Sequence, residues 1–329
     1  MTGSPRLSIG LPVYNGEEYL AEALDALLGQ TFTDFELIIS DNASTDGTAT
    51  ICARYERQDA RIRYFRQSRN IGAAPNHNFL LAQARGEFFQ WVSCDDLYAR
   101  DLLQRCVDAL DAHPDVILAA AWTAVVDHES KLTQARPYPM ASESPSAPVR
   151  FTSMLFGEPE DYGFICADDD YGVIRTEVLR RVAPHGSFYH ADKALITGLS
   201  LYGRFHHERD WLYFRRDHAD RAFRANPTAR SWCANLDPRR ASRLRHPVAR
   251  LFAEYLWSFT VRIARAPLSP ADRLACYWIL ARWTGSRVIR KGPPAGAGGG
   301  PLIGVAEGFS VDERVAGREK LAGPARKAP

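Results

Sequence analysis

Short apolar strands alternate with amphipathic helices through the first third of the chain, and each strand runs straight into a polar cluster. Leu7–Pro12, Phe35–Ser40, Ile62–Phe65 and Glu87–Val92 are the strand-like runs. Between them, Tyr19–Gln30 places Leu20, Ala23, Leu24, Leu27 and Leu28 at helical spacing, and Thr48–Gln58 predicts a second helix. A third helix is expected to take Pro75 as its first residue and to run to about Ala84. Asp101–Ala112 is a further amphipathic helix. Strand following helix following strand requires right-handed crossovers. The expected fold class is therefore α/β, a doubly wound, mostly parallel sheet with helices on both faces.

Ligands of such sheets bind beyond the carboxyl ends of the strands. Those ends carry "PVYNGEEYL" (Pro12–Leu20), "SDNASTDGT" (Ser40–Thr48), "QSRNIGAAPNHN" (Gln67–Asn78) and "SCDD" (Ser93–Asp96). Taken singly, each reads as a turn. Four on one rim, three of them rich in Asp or Asn, point to a binding site. No G-x-G-x-x-G follows the first strand and no G-x-x-x-x-G-K-[ST] occurs, which argues against a dinucleotide fold and a P-loop. Carboxylates suit a hard divalent cation, Mg²⁺ or Mn²⁺, bridging protein and diphosphate.

Composition narrows the classes further. A formal charge of +2 over 329 residues makes no case for nucleic acid as a partner. The six cysteines are far apart without a C-x-x-C, as expected of reduced, structural thiols in a cytosolic protein. Nothing in Met1–Pro5 resembles a signal peptide. The longest uncharged apolar stretch, Val116–Val126, is far below the ~20 residues of a membrane-spanning helix. The expectation is a cytoplasmic protein that does not span a membrane.

In this order, "LSIGLPVYNGEEYLAEALDALLGQTF", "FELIISDNASTDGT", "RNIG" and "SCDD" resemble the family 2 glycosyltransferases of GT-A fold, over Leu7 to Asp115. The resemblance implies a nucleotide-sugar donor, commonly UDP-linked, a divalent cation (Mn or Mg), and inversion at the anomeric carbon. It also implies a hydroxyl-bearing acceptor: a glycan, a lipid-linked species or a small molecule. Carried over by position, it implies that Pro12, Tyr14 and Asn15 wall the base and ribose pocket, with Glu17 at its edge. Asp41 would hydrogen-bond the nucleobase, with Asn42 and Asp46 shaping the turn beneath. Arg69, Asn70 and Gly72 would lie between nucleobase and sugar. Asp95 matches the metal-binding member of the family's D-x-D, whose first aspartate falls on Ser93 here, leaving the site one charge short. Asp96 would contact the donor sugar or position the next helix, and Cys94 would pack inward.

Beyond Val116 the strict alternation fades. The resemblance places the catalytic base on an acidic residue opening a helix well after the D-x-D. Asp192, in "FYHADKALITGLSLYG", is the expected base, with Asp168, Asp169 and Asp170 as the other candidates and helix capping as the plain role of each. Arg215, Arg216 and His218 in "YFRRDHADRAFR" are placed to meet diphosphate charge, Arg216 on the donor and His218 at the metal. Ser93 motivates a different reading, a catalytically weakened nucleotide-sugar-binding scaffold.

The expected organisation is a nucleotide-sugar-binding domain over 7–115 and an acceptor-binding and catalytic portion over 116–225. A helical C-terminal extension follows over 226–291. Residues 292–329, opening with the linker-like "GPPAGAGGGP", are expected to be disordered. Pro247–Ala264 and Ala271–Trp283 are aromatic-rich helices flanked by arginines. The preferred reading packs them on the globular domain. The other lays them at the inner face of a membrane as a peripheral contact. The oligomeric state stays open.

Overall fold

The computed structural model describes residues 3–135, 141–156, 169–289 and 310–315. It opens with the expected alternation: β1 (Leu7–Val13), α1 (Leu20–Leu28), β2 (Phe35–Asp41), α2 (Thr48–Gln58), β3 (Ile62–Arg66), α3 (Ala73–Gln83) and β4 (Phe88–Trp91). The four strands are parallel, in the order β3-β2-β1-β4. Every residue of β2 is buried, because its side chains alternate between two helix-covered faces. Leu37 and Ile39 join Leu24 and Leu27 of α1 in one core, while Ile38 joins Leu80 of α3 and Phe89 of β4 in the other. Each such Leu or Ile stabilises the fold by about 1.5–3 kcal/mol relative to exposure.

The sheet then continues in mixed form. Next come β5 (Leu97–Tyr98), α4 (Leu102–Ala112), β6 (Val116–Val126), β7 (Leu132–Ala135) and α5 (Ala147–Phe156). β8 (Val173–Arg175), α6 (Thr176–Val182), α7 (Ala191–Leu199) and β9 (Arg204–Arg216) follow. Nine strands among the described residues form one sheet, ordered β3-β2-β1-β4-β8-β6-β9-β5, with β7 beside β6. The short β8 runs antiparallel between β4 and β6, while the long β6 and β9 pair in parallel. β5, just past "SCDD", pairs antiparallel with the end of β9 through Leu97 and Phe214. That pairing brings residue 216 back to residue 95.

The C-terminal part is helical: α8 (Ala222–Ala225), α9 (Ala229–Leu236), α10 (Val248–Arg265) and α11 (Pro270–Ile289). Tyr255, Phe259 and Ile263 of α10 and Cys276, Leu280 and Trp283 of α11 share a core with Phe151 of α5 and Ala194 of α7. Packing on the globular body, the preferred reading, is thus what the inner faces of these helices do. No helix among the described residues is long and apolar enough to cross a membrane.

One expectation for the tail needs correction. Within 292–329, α12 (Val311–Arg314) docks on the body: Val311 and Val315 are buried and Arg100 N–H donates to Arg314 O at 2.8 Å. Two valines at i and i+4 bury enough apolar surface to hold one turn in place. The remainder of that tail lies outside the described residues, as does Asp168.

Candidate active site

The strand register aligns the polar clusters. Pro12 and Val13 stand opposite Ser40 and Asp41, which stand opposite Phe65 and Arg66. Hydrogen bonds then lace the loops after β1 and β2 together. Asn15 N–H donates to Ser44 Oγ at 2.9 Å, and Asn15 Oδ1 accepts from Thr45 N–H at 2.9 Å. Glu17 accepts from Gly47 N–H at 2.8 Å, while its own N–H donates to Asp46 at 3.0 Å. Asn15 takes φ 52° to do so, a left-handed conformation that Asn tolerates better than most residues. Tyr14 projects from this lattice, about half exposed, beside the half-buried Pro12.

The lacing extends to the loop after β3. Asn42 Nδ2 donates to Asn70 Oδ1 at 3.0 Å, Asn42 Oδ1 accepts from Ile71 N–H at 2.8 Å, and Asn70 Oδ1 accepts from Gly72 N–H at 2.9 Å. Arg69 is exposed beside them. Gly72 sits at φ 91°, and a Cβ there would fall 2.5 Å from Leu236 O. The end of α9 therefore covers this loop, an approach only glycine permits. Nothing in the local sequence at 72 announces a partner at 236.

Asp41 is deeper than the resemblance implies. It has no exposed surface; its carboxylate accepts from Ser44 N–H at 2.8 Å and Tyr64 Oη at 2.9 Å, with Arg66 Nε at 3.5 Å. It orders the loop that carries Asn42, Ser44 and Asp46. Tyr64 and Arg66, two residues apart on β3, belong to this cluster, and a strand of mixed character gives no sequence signal for them.

The fourth cluster holds the most pronounced electrostatics. Ser93, where the D-x-D has its first aspartate, donates its hydroxyl to one oxygen of Asp95. His218 Nε2 meets the other oxygen of Asp95 at 2.9 Å, across 123 residues of sequence. Burial pushes the Asp95 carboxyl up, but His218, Arg221 and Ser93 outweigh it and hold it below the usual carboxylate range. His218 is raised in turn, first by its bond to Asp95. The two residues expected at a metal are thus brought into one pair. Cys94 points the other way and packs against the core beside Gly16, where a Cβ would come 3.2 Å from its Sγ.

Two other expected site residues lie in the interior. Asp96 is fully buried and does not reach the rim: it accepts from Tyr213 Oη and from Arg216 N–H (2.8 Å), with Arg221 Nη1 at 3.7 Å. Burial and the charge of Asp95 push its carboxyl up to about 6. Of its two expected roles, positioning is the one its contacts fit, tying the Asp95 loop to β9. Arg216, expected at the donor, is 1% exposed. It donates to Asp95 O (2.9 Å), Ser130 Oγ (2.7 Å), His128 O (3.1 Å) and Glu22 Oε2 (2.7 Å), and lies 4.4 Å over the Tyr19 ring. It is a buried hub behind the carboxylate, at the end of a strand whose last six residues are all buried, while residue 218, past the strand end, faces Asp95. Tyr19, whose ring is 5.0 Å from that of His218, and Glu22 belong to this hub and were not anticipated.

Asp192 sits in the first turn of α7, half-buried, two residues after His190, which takes a left-handed φ of 56°. Its neighbourhood is histidine-rich: its charge acts on His77 and His185, whose rings are 5.4 Å apart. Burial, then His185, push His77 down to about 4, so it is neutral at pH 7. His77 belongs to the β4 end of the rim, since Trp91 Nε1 donates to its carbonyl at 3.2 Å. Asp169, by contrast, is buried against His207 at 3.0 Å, the environment of a structural pair.

Comparison with known proteins places this architecture. An uncharacterized glycosyltransferase of Rickettsia typhi is 34% identical over 131 residues, which cover 39% of this chain and 40% of that protein. The putative teichuronic acid biosynthesis glycosyltransferase TuaG of Bacillus subtilis is 35% identical over 101 residues, covering 31% of this chain and 40% of that protein. The chain thus matches about two fifths of the length of each of these relatives. Among solved structures, S. aureus TarS residues 1–349 superposes with TM-score 0.59 at 20% identity, over 85% of this chain and 72% of that one. It has also been solved with UDP and with UDP-GlcNAc. The mannosyltransferase PcManGT of Pyrobaculum calidifontis, in complex with GDP-Man and Mn²⁺, gives TM-score 0.50 at 18% identity, over 87% of this chain and 83% of that one. These structural likenesses establish the GT-A fold. The family model for glycosyl transferase family 2 matches residues 8–179, the span that holds the three laced loops and the Asp95 carboxylate, and this chain belongs to that family.

Proposed function

We propose that the chain is an inverting glycosyltransferase that moves a sugar from a UDP-linked donor to an acceptor hydroxyl. The observation that carries the reading is the Asp95–His218 pair, held at the sheet rim next to the loops laced by Asn15, Asn42 and Asn70. Tyr14, Asn15, Glu17, Arg69 and Asn70 are the exposed groups there, and an aromatic ring among amides and one cation suits a base, a ribose and phosphate.

The donor set fits a divalent cation. A carboxylate oxygen of Asp95 and the imidazole Nε2 of His218, which meet in one hydrogen bond at 2.9 Å, would hold such an ion once the proton between them is lost. Among the described residues no third His, Cys, Asp or Glu joins them. A cation of the Mg²⁺ or Mn²⁺ type held by two side chains would keep water and take substrate phosphate oxygens. When bound, such an ion neutralises charge growing on the departing nucleoside diphosphate. Ser93 orients one Asp95 oxygen by hydrogen bonding in place of adding a second charge.

The chain's own residues supply the remaining chemistry. Asp192 accepts the proton of the acceptor hydroxyl as that oxygen attacks the anomeric carbon. The bond from that carbon to the diphosphate oxygen breaks, and configuration inverts. Asp41 and Asp96 act from beneath, ordering the loops that present Asn42 and Asp95.

Thermal unfolding with a panel of nucleotide sugars, with and without Mn²⁺, tests the reading. A UDP-sugar at ~100 times its Kd stabilises by about 2.7 kcal/mol, a rise of about 4 °C for a chain of this length. The reading expects that rise to need Mn²⁺ and to vanish in Asp95→Asn. No rise with any nucleotide sugar would sink it, and a metal-independent rise without donor turnover would favour the scaffold reading.

A further inference from the structure

The inner faces of α10 and α11 are buried, but their outer faces expose large apolar side chains. Trp257 and Trp278 are each 66% exposed and Leu274 is 72% exposed. Tyr277 Oη donates to Thr260 O at 3.3 Å, which sets the two helices side by side with both tryptophans near the same height. Arg250, Trp257 and Ala264 recur at heptad spacing on α10, and all three are exposed. Leu274, Trp278 and Arg282 recur every fourth residue on α11, again all exposed.

The charge of this region is lopsided. Residues 226–291 hold thirteen Arg and Lys against three Asp and Glu, a formal net charge of +10, so the rest of the chain carries −8 within its total of +2. The three acids are already engaged: Asp237 pairs with Arg239, Glu254 with Arg240 and Arg250, and Asp272 accepts from Ser269 Oγ at the start of α11. Arg243, Arg245, Arg265 and Arg282 are exposed, and Leu244 between the first two is 96% exposed.

We propose that the outer face of the α10–α11 hairpin is a docking surface for an anionic lipid bilayer, with Trp257, Leu274 and Trp278 inserted at the headgroup level and Arg265 and Arg282 on lipid phosphates. Tryptophan and arginine divide this work by their chemistry: the indole is apolar with one donor, and the guanidinium pairs with phosphate. Charge complementarity selects this occupant. A second copy would bring the same +10 region against itself, and an acidic protein would leave two indoles without an apolar counterpart. The surface is separate from the Asp95–His218 pair, and α10 also packs on α7, the helix that opens with Asp192. Docking there would set that helix close to the membrane plane.

Co-sedimentation of the full chain with vesicles tests this, using one part phosphatidylglycerol to two parts phosphatidylcholine against phosphatidylcholine alone. The proposal expects binding to the anionic vesicles only, weakened at least ~10-fold by the pair Trp257→Ala and Trp278→Ala and similarly by Arg265→Glu with Arg282→Glu. Thermal unfolding and nucleotide-sugar binding of these variants should match the parent, which separates this proposal from the proposed transferase activity. Absence of binding to either vesicle, or binding that the tryptophan pair does not alter, overturns it. Self-association lost in the tryptophan variants, without vesicle binding, also overturns it and assigns the face to a second copy.

Discussion

Replacing Arg216 by Met separates a buried hub from a donor contact. The substitution keeps the apolar stem and removes the guanidinium, leaving Asp95 O, His128 O and Ser130 Oγ without their donor. Glu22 is a third exposed and turns to water at little cost, so its ion pair is discounted. One buried and two part-buried acceptors losing a charged donor, together with loss of the contact over Tyr19, cost about 3–5 kcal/mol. With ~2.1 cal/mol/K of unfolding entropy per residue, a chain of 329 residues loses about 4–7 °C in Tm. Thermal unfolding with and without UDP is the assay. The added variant Glu22→Gln should change the result by less than ~1 kcal/mol. If Arg216→Met unfolds within a degree or so of the parent yet loses UDP affinity, the hub reasoning is wrong and Arg216 meets the diphosphate after all.

Glu36 sets part of the acid limit. Burial alone pushes its carboxyl up, but Arg85, Ser8 and Arg63 outweigh that and hold it below the usual range. A depressed folded-state value means its stabilisation is complete above the unfolded value near 4.5 and is lost as pH falls through the folded one. Urea unfolding across pH 3 to 6 should show that decline, and Glu36→Gln should flatten it while lowering stability at pH 7. Gly72→Ala forces a Cβ to 2.5 Å from Leu236 O at a φ of 91°, so a loss of about 2–3 kcal/mol is expected, with weakened nucleotide-sugar binding as the Asn70 loop shifts. An unchanged Tm in that variant would show that α9 does not cover the loop.

What could be read from the sequence follows from how each signal is encoded. Leu20, Leu24 and Leu27 repeat at helical spacing and Leu37–Ile38–Ile39 fills two cores, so local periodicity was enough for the doubly wound half. The rim was legible because turn residues follow strands within one span of chain. Depth was not. Asp41, Asp96 and Arg216 look like site residues because a charged letter is the same whether it faces water or a buried partner, and their partners Tyr64, Tyr213 and Ser130 carry no mark of the pairing. Asp95 and His218 each matched a motif, yet their contact depends on β5 pairing with β9, a long-range event without local signature. Val311 and Val315 were hidden for a related reason: two valines in a polar, Gly-rich tail have no period, and only the docked turn gives them meaning.

The central claim is that the Asp95–His218 pair supports departure of the nucleotide. Release of UDP from UDP-sugars should be followed with Mn²⁺, Mg²⁺ or chelator, in the parent, Asp95→Asn and His218→Ala, with Tm measured in parallel. The account predicts turnover that requires the divalent ion and falls by at least ~100-fold in Asp95→Asn, with the fold intact. Undiminished turnover in Asp95→Asn would contradict it.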